Sequence, residues 1–269
     1  MDPVDLTAGI DVERPSQARI YDYLLGGSLN FAADREAARQ LIAMVPDVPL
    51  LAQANRAFLR RAVRFLVGTG VRQFLDIGSG VPTRGTVHEI AQRIAPESRV
   101  AYVDIDPVAV AHSRQILAGN DLATAIQEDA RRPEHILRHP EVQGLFDRAR
   151  PVAVLVVSVL HFIPDSDDPA GIVSRLGDEL VSGSYLVLSH VTSDGQPNHT
   201  AGASPDNGRS GMFAMPRGRA EVERFFAGFD LVEPGLVPVE QWRPDAPGHG
   251  ELSDSQMLLC MHAGVARKK

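Results

Sequence analysis

One stretch constrains the fold of this chain more than any other: Phe74-Leu75-Asp76-Ile77-Gly78-Ser79-Gly80-Val81-Pro82-Thr83. Gln73 to Ile77 reads as a short strand covered on both faces. Gly78 and Gly80 then let the backbone turn sharply and lie close to a ligand with no Cβ in the way. After Pro82 and Thr83, the run to Ala95 has helical spacing, with Val87, Ile90, Ala91 and Ile94 on one face. Strand, glycine turn and helix together form the nucleotide-binding corner of a doubly wound α/β sheet. Gly-x-Gly alone also fits a plain tight turn between two packed elements.

Asp76 separates the possible ligands. A dinucleotide lays its pyrophosphate over such a turn and needs backbone N–H groups and a helix N-terminus. A carboxylate two residues before Gly78 repels that pyrophosphate, and Thr83 stands where the dinucleotide fingerprint has its third glycine. A cationic ligand tolerates Asp76, and S-adenosylmethionine carries a sulfonium, an ammonium and no phosphate. The stretch resembles the first motif of class I S-adenosylmethionine-dependent methyltransferases, Asp/Glu-x-Gly-x-Gly, with Pro82 where that family often has a further glycine. The resemblance implies that Asp76, Gly78, Ser79 and Gly80 line the cofactor.

A length of 269 residues suffices for one full α/β domain with an added segment. A net charge of −7 argues against a nucleic-acid surface, which needs a basic patch. The single cysteine, Cys260, excludes a disulfide framework and a cysteine-rich zinc site, and reads as a core residue. No apolar run approaches the roughly 20 residues of a membrane span. The polar N-terminus has no signal-peptide pattern, so a cytoplasmic location without a membrane partner is expected.

Residues 1 to 15 read as a loosely held arm. Ser16 is placed to cap a helix through Ile20, Tyr21, Leu24 and Leu25, which Gly26-Gly27 stops. A second helix opens near Asp34 and is broken by Pro46 and Pro49, and a third runs from about Leu51 to Val67. Arg56, Arg60, Arg61 and Arg64 on that third helix read as a solvated face. Arg19-Ile20-Tyr21-Asp22-Tyr23-Leu24-Leu25-Gly26-Gly27, with Asn30-Phe31 and Asp34-Arg35, resembles an actinobacterial family of S-adenosylmethionine methyltransferases of unassigned substrate. Through that resemblance Tyr21, Gly27 and Asn30 are expected in a cap over the ligand; from the residues alone, a helical pair packed on the sheet edge fits too.

Arg99 to Ile105 predicts the second strand. Asp104 follows Gly80 at close to the spacing, roughly 20 residues, at which a strand-end acid meets a ribose diol. The resemblance puts the ribose on Asp104 and its neighbour Ile105. Asp106 caps the helix that Pro107 opens. Ala123 to Gln127 is a third strand, and the resemblance gives Asp129, with Ala130, the adenine amino group; alone, Asp129 equally caps a turn. Pro151 to Leu160 is the most apolar run and reads as a central parallel strand, with Ser158 at its cofactor end. His161 is a candidate general base, although a His among apolar residues is more often structural. Asp165, Asp167 and Asp168 suggest a metal, but Asp168-Pro169 fits a helix N-cap better, so no metal is expected. Tyr185 to Val191 is the fifth strand, Phe229 to Val239 a proline-interrupted strand, and Gln256 to His262 the last.

The expectation is therefore one Rossmann-like α/β domain over residues 1–269: a helical cap over 1–68, and a core over 69–269 with a loop insertion at about 193–216. Its sheet has seven mostly parallel strands, the last antiparallel, flanked by helices. The expected activity is transfer of the S-adenosylmethionine methyl group to a small acceptor. A nicotinamide-dependent oxidoreductase and a non-catalytic S-adenosylmethionine sensor are the alternatives, and a homo-oligomer is compatible with either. Ser158 to Phe162 lacks the Asn/Asp-Pro-Pro-Tyr run of base methyltransferases, while Val159, Leu160 and Phe162 offer an apolar lining.

Overall fold

The structure, a computed structural model, describes residues 11–83, 85–194, 214–245 and 260–269. Three helices, α1 Gln17–Leu24, α2 Ala32–Met44 and α3 Val48–Gly68, precede the sheet. Five strands then pair in parallel: β1 Gln73–Ile77, β2 Arg99–Asp104, β3 Ala123–Gln127, β4 Ala153–Val157 and β5 Tyr185–Val191. β6 Phe229–Leu231, β7 Val237–Pro238 and β8 Met261–Lys268 complete an eight-stranded sheet in the order β3-β2-β1-β4-β5-β8-β6, with β7 also paired to β8. β8 runs antiparallel to β5, so the sheet is mostly parallel with a reversed final strand. Chain direction across the sheet switches between β1 and β4, where doubly wound sheets open a crevice at the strands' carboxyl ends.

Helices α4 Val87–Ile94 and α5 Pro107–Ile116 join α3 on one face; α6 Pro133–Arg138, α7 Pro140–Leu145, α8 Pro169–Asp178 and α9 Arg219–Arg224 cover the other. Two cores result. Phe58, Leu66, Ile90 and Val110 meet Phe74, Val100 and Leu155 on the first face, and Ile136, Leu176 and Phe225 meet Leu75, Val154 and Leu188 on the second. Each such side chain contributes about 1.5–3 kcal/mol on burial. The first two helices build a smaller cluster of Ile20, Leu24, Ala37 and Ala38 against Ala52 of α3.

Several expected boundaries move, each for a local reason. The helix after the glycine turn starts at Val87, because Glu89 turns back to accept the Thr86 N–H at 3.1 Å and fixes the start there. Pro49 lies in the first turn of α3, where its missing N–H costs nothing. Ser16 makes no side-chain cap; its N–H donates to Asp34 Oδ1 at 2.9 Å, and the Phe31 N–H to Asp34 Oδ2 at 2.7 Å. One carboxylate thus ties the starts of α1 and α2. The strand expected over Phe229 to Val239 divides around Pro234 and Gly235, since proline has no N–H for a ladder. The last strand starts at Met261 and extends to Lys268; its expected residues 256–259 lie outside the described residues. Small residues hid its length: a Cβ on Gly264 would meet Phe226 Cζ at 3.1 Å, so this stretch is selected for thinness and not for β-branching. The central strand expected over Pro151 to Leu160 is shorter, ending at Val157 and followed by a 3₁₀ turn, Leu160–Phe162. Cys260 is buried, as a core residue should be.

Most of the loop insertion at about 193–216, and residues 1–10, lie outside the described residues. No helix among the described residues is long and apolar enough to cross a membrane.

Candidate functional site

The glycine turn is built against the end of β2. Gly78 and Gly80 have φ of +69° and +68°, a region that disfavours any side chain. Gly78 is fixed a second time: a Cβ there would stand 2.4 Å from Val159 Cγ2. At Gly80 a Cβ would meet nothing within 4 Å, so the turn is open on that side. The Gly78 and Ser79 N–H groups donate to Val103 O at 2.8 and 3.1 Å, and the Gly80 N–H to Asp104 Oδ2 at 2.7 Å. The amides a pyrophosphate would need are therefore engaged, and the nearest helix starts only at Val87. Geometry as well as charge excludes the dinucleotide arrangement.

Asp76 is 5% exposed and its carboxylate has no hydrogen-bond partner among the described residues. It lines a narrow cleft with Arg56, Ser79, Gly80, Pro82 and Thr86, which continues between α4 and α5 past His88 and Tyr102. Burial pushes its carboxyl up to about 7; the Arg56 charge pulls it down and the Asp104 charge raises it. Asp104 is also buried and pushed up by burial to about 6, against the lowering effect of the N–H groups of Asp106 and Gly80. One Asp104 oxygen takes the Gly80 N–H and the other the Asp106 N–H at 2.9 Å, so this carboxylate shapes the turn. Asp106 accepts from Val108 N at 2.8 Å and Ala109 N at 3.4 Å, the expected helix cap.

Farther along the strand ends, Ile105 is 60% exposed beside Asp104, an apolar surface at the edge of the crevice. Asp129 is held by Arg131, whose Nε lies 3.0 and 2.9 Å from its two oxygens. That pairing keeps Asp129 below the usual carboxylate range despite burial, and Arg131 also reaches Asp167 at 3.2 Å. Ala130 packs on the second core.

The cap residues divide. Asp22 Oδ2 accepts from Leu29 N and Asn30 Nδ2, both at 2.8 Å, and a Cβ on Gly27 would lie 2.0 Å from Asp22 Oδ1. Gly27 and Asn30 are thus engaged in folding their own loop, and Arg35 closes it by donating to Asn30 O at 2.7 Å. Tyr21 instead reaches the sheet. Its hydroxyl donates to Ala52 O at 3.0 Å and accepts from Asn55 Nδ2 at 2.9 Å; Asn55 Oδ1 accepts from Ser189 Oγ at 2.7 Å, and Ser189 Oγ accepts the Ser158 N–H at 3.0 Å. A polar chain therefore runs from α1 through α3 to Ser158, whose φ of +59° marks strain at the end of β4. Burial raises the Tyr21 hydroxyl above its ordinary value. A second tie is Arg19, buried, 3.3 Å from Asp34 and 3.5 Å from Asp106.

Sequence reasoning treated the α3 arginines as a solvated face; this holds for Arg64, which is exposed, and the structure corrects it for Arg61 and Arg56. Arg61 is buried and donates to Trp242 O at 2.8 Å and Val239 O at 2.7 Å. Arg56 faces the cleft. Asn55, Ser189 and Arg217 were missed as well; their partners lie far away along the chain, and only the spacing of Arg56 and Arg60, one helical turn apart, hinted at a shared face.

His161 is buried and stacks edge-on against His190 at 5.4 Å. Burial holds it far below its ordinary value, followed by the charges of His190 and Arg217. Arg217 donates to Leu160 O at 3.0 Å and Ile163 O at 2.8 Å, and its Nη1 lies 2.9 Å from His190 Nε2. His190 Nδ1 lies 2.6 Å from Val191 O, so that nitrogen carries the proton and Nε2 accepts. Burial pushes His190 down to about 4. Leu160 is fully buried in the second core, leaving Val159 and Phe162 as partly exposed apolar groups. Asp165 pairs with Arg217 at 2.6 Å and Asp168 caps α8 through Gly171 N at 2.9 Å, so the three acids diverge. Among the described residues no group of three or more His, Cys, Asp or Glu could hold a metal.

A mostly parallel sheet with a reversed final strand, flanked by helices and carrying a glycine turn and an acid at the end of β1, is the class I methyltransferase fold. The chain belongs to the S-adenosyl methyltransferase family, whose model matches residues 4–269. It is accordingly an S-adenosylmethionine-dependent methyltransferase by family, and the oxidoreductase and sensor alternatives give way. A DUF574 family protein from Streptomyces avermitilis is 41% identical, with a TM-score of 0.90 over 97% of this chain and 100% of its own. A Thermobifida fusca protein named as a candidate methyltransferase is 38% identical, with a TM-score of 0.92 over 99% of this chain and 100% of its own. The plantazolicin methyltransferase BamL, at 11% identity and a TM-score of 0.54 over 96% of this chain and 97% of its own, shares the fold. None of the curated proteins matches the chain.

Proposed function

We propose that this enzyme methylates a small acceptor in the crevice above β1, β2 and β4, with S-adenosylmethionine held along the glycine turn. The observation that carries this reading is Asp76, a buried carboxylate without a hydrogen-bond partner among the described residues, in a cleft whose glycine-turn amides are already engaged. Such a site favours a cationic ligand over a phosphate. When bound, S-adenosylmethionine supplies a methyl group activated by its sulfonium.

In this reading Asp76 meets the ligand's ammonium, Gly80 admits its backbone-hugging part, and Asp104 and Ile105 take the ribose and a face of the base. Asp129, fixed by Arg131, and Ala130 border the adenine end. Ser158 and Val159 bound the reacting end, and Tyr21 holds the cap over it through Asn55 and Ser189. Gly27 and Asn30 support the cap loop without needing to touch the ligand. Alignment of acceptor and methyl group is the chain's main contribution. His161 is a poor base because burial, and then the neighbouring His190 and Arg217 charges, disfavour its protonated form, which suits an acceptor that needs no proton removed by this residue.

A small acceptor is supported by the net charge of −7 and by the partly exposed Val159 and Phe162. BamL is a methyltransferase crystallised with a desmethyl-plantazolicin analogue and S-adenosylhomocysteine, which shows that this fold can serve such a ligand in that protein. The test is incubation of the enzyme with labelled S-adenosylmethionine and a metabolite extract, followed by mass spectrometry. A labelled small product is expected. Label transferred only to DNA or RNA, with tight filter binding at low salt, would reject the small-acceptor reading.

A further inference from the structure

Arg19 lies in the first turn of α1, and its guanidinium is buried between the cap and the sheet. Its Nε stands 3.3 Å from Asp34 Oδ1, near the start of α2, and 3.5 Å from Asp106 Oδ2, at the start of α5. Nη2 donates to Arg14 O at 2.7 Å, and Cζ lies 5.1 Å from the centroid of the Phe31 ring. Of these contacts, Asp106 alone belongs to the sheet core. Nε and Nη1 have no aligned hydrogen bond, so the charge of Arg19, more than its fork geometry, holds the two acids. Asp34 and Asp106 are both buried, and a neutral residue at position 19 leaves two buried carboxylates around one uncharged group.

We infer that Arg19 is a positioning residue: it seats the helical cap on the turn between β2 and α5 and, through Asp106, holds Asp104 in register for the ribose of the cofactor. The inference rests on the ribose reading of Asp104 above and adds Arg19 and Asp106 to it. Asp106 uses Oδ1 to cap α5, accepting from Val108 N and Ala109 N, which leaves Oδ2 turned toward Arg19. Its backbone N–H donates to Asp104 Oδ1 at 2.9 Å. The turn Asp104-Ile105-Asp106 is thus gripped by the α5 cap on one oxygen and by α1 on the other. Arg19 and Asp106 are buried, so they act through Asp104 and not on the ligand. The Arg19-Ile20-Tyr21-Asp22 run then divides its work along one helix. Ile20 packs within the cap, Asp22 folds the loop after it, Tyr21 reaches α3, and Arg19 reaches the end of β2.

The test is discrimination by the ribose, measured within each variant. Calorimetry is run with S-adenosylhomocysteine and with its 2′-deoxy analogue. The wild type prefers S-adenosylhomocysteine by about tenfold, the scale of one charge-assisted hydrogen bond. Asp104→Ala abolishes the preference and sets the floor. Arg19→Gln reduces it to about threefold or less. Asp106→Ser does the same, because serine still caps α5 but is too short to reach Arg19. Arg19→Lys keeps a cation between the two acids and retains most of the preference. A purely structural role for Arg19 would weaken both ligands alike and leave the ratio unchanged. An undiminished preference in folded Arg19→Gln or Asp106→Ser overturns the inference and leaves the ribose reading standing. A wild type without the preference, or a preference that survives Asp104→Ala, overturns both. If Arg19→Gln does not fold, Asp106→Ser decides alone.

Discussion

Two buried polar clusters sit at the carboxyl edge of the same sheet, and they are built on opposite terms. Around Arg217, near β5, the guanidinium has two carbonyls, an imidazole nitrogen and a carboxylate within hydrogen-bond distance. Around Asp76, at the end of β1, a carboxylate with no hydrogen bond among the described residues shares a cleft with Arg56, whose buried Nε has no hydrogen-bond partner. A saturated buried network fixes structure; an unsaturated one costs stability unless a ligand completes it. The first cluster therefore holds the Leu160–Phe162 turn and the Thr192–Arg217 bridge in place, while the second is the contact proposed for the cofactor. His161 belongs to the first cluster, and this explains why its titration is suppressed.

Breaking the saturated cluster should have the largest effect. Arg217→Ala strands the Leu160 and Ile163 carbonyls and should cost about 3 kcal/mol or more of stability, read as a large fall in thermal midpoint. A small shift would mean that the cluster is not saturated in solution.

Asp104, the acid proposed for the ribose, comes next. Asp104→Ala should weaken S-adenosylhomocysteine binding by roughly 1–3 kcal/mol. Calorimetry on the folded variant checks this, and unchanged affinity would place the ribose elsewhere.

The pH profile sharpens the contrast. Burial raises the Asp76 and Asp104 carboxyls from 3.8 to about 7 and about 6. The unfolded chain gives up these protons first, so their favourable contribution is fully present below the unfolded value near 3.8 and is lost as pH rises through about 6 to 7. The ligand-free protein should therefore lose stability across that window, and Asp76→Asn should flatten the loss; a profile identical to wild type contradicts it. The smallest effect is expected at Tyr21. Tyr21→Phe leaves Asn55 Nδ2 without its acceptor and should cost about 1 kcal/mol, measurable by denaturant unfolding.

How much of this was legible from the sequence follows the range of each interaction. Parallel strands announce themselves through local apolar runs such as Val152 to Val157, and the glycine turn through residues a few positions apart. Asp106 and Asp168 act on their own helices and were readable as caps. Arg56 acts on Thr83 and Asp76, and Arg217 on Leu160 and His190, across separations that only the fold brings together. The Tyr-Asp-Tyr-Leu-Leu-Gly-Gly run was recognisable, but its mechanics were not. Asp22 explains Gly27 and Asn30 by folding the loop, while Tyr21 and the neighbouring Arg19 pass contact on to the strand ends.

The central claim, that the buried carboxylate at the end of β1 is a cofactor contact, is tested most directly by titrating S-adenosylhomocysteine into wild type and Asp76→Asn at pH 8, with NAD as a second ligand. The predicted result is binding of S-adenosylhomocysteine that weakens by about tenfold or more in the folded variant, with no NAD binding to either. Equal S-adenosylhomocysteine affinity in the two proteins, or binding of NAD in its place, would contradict it.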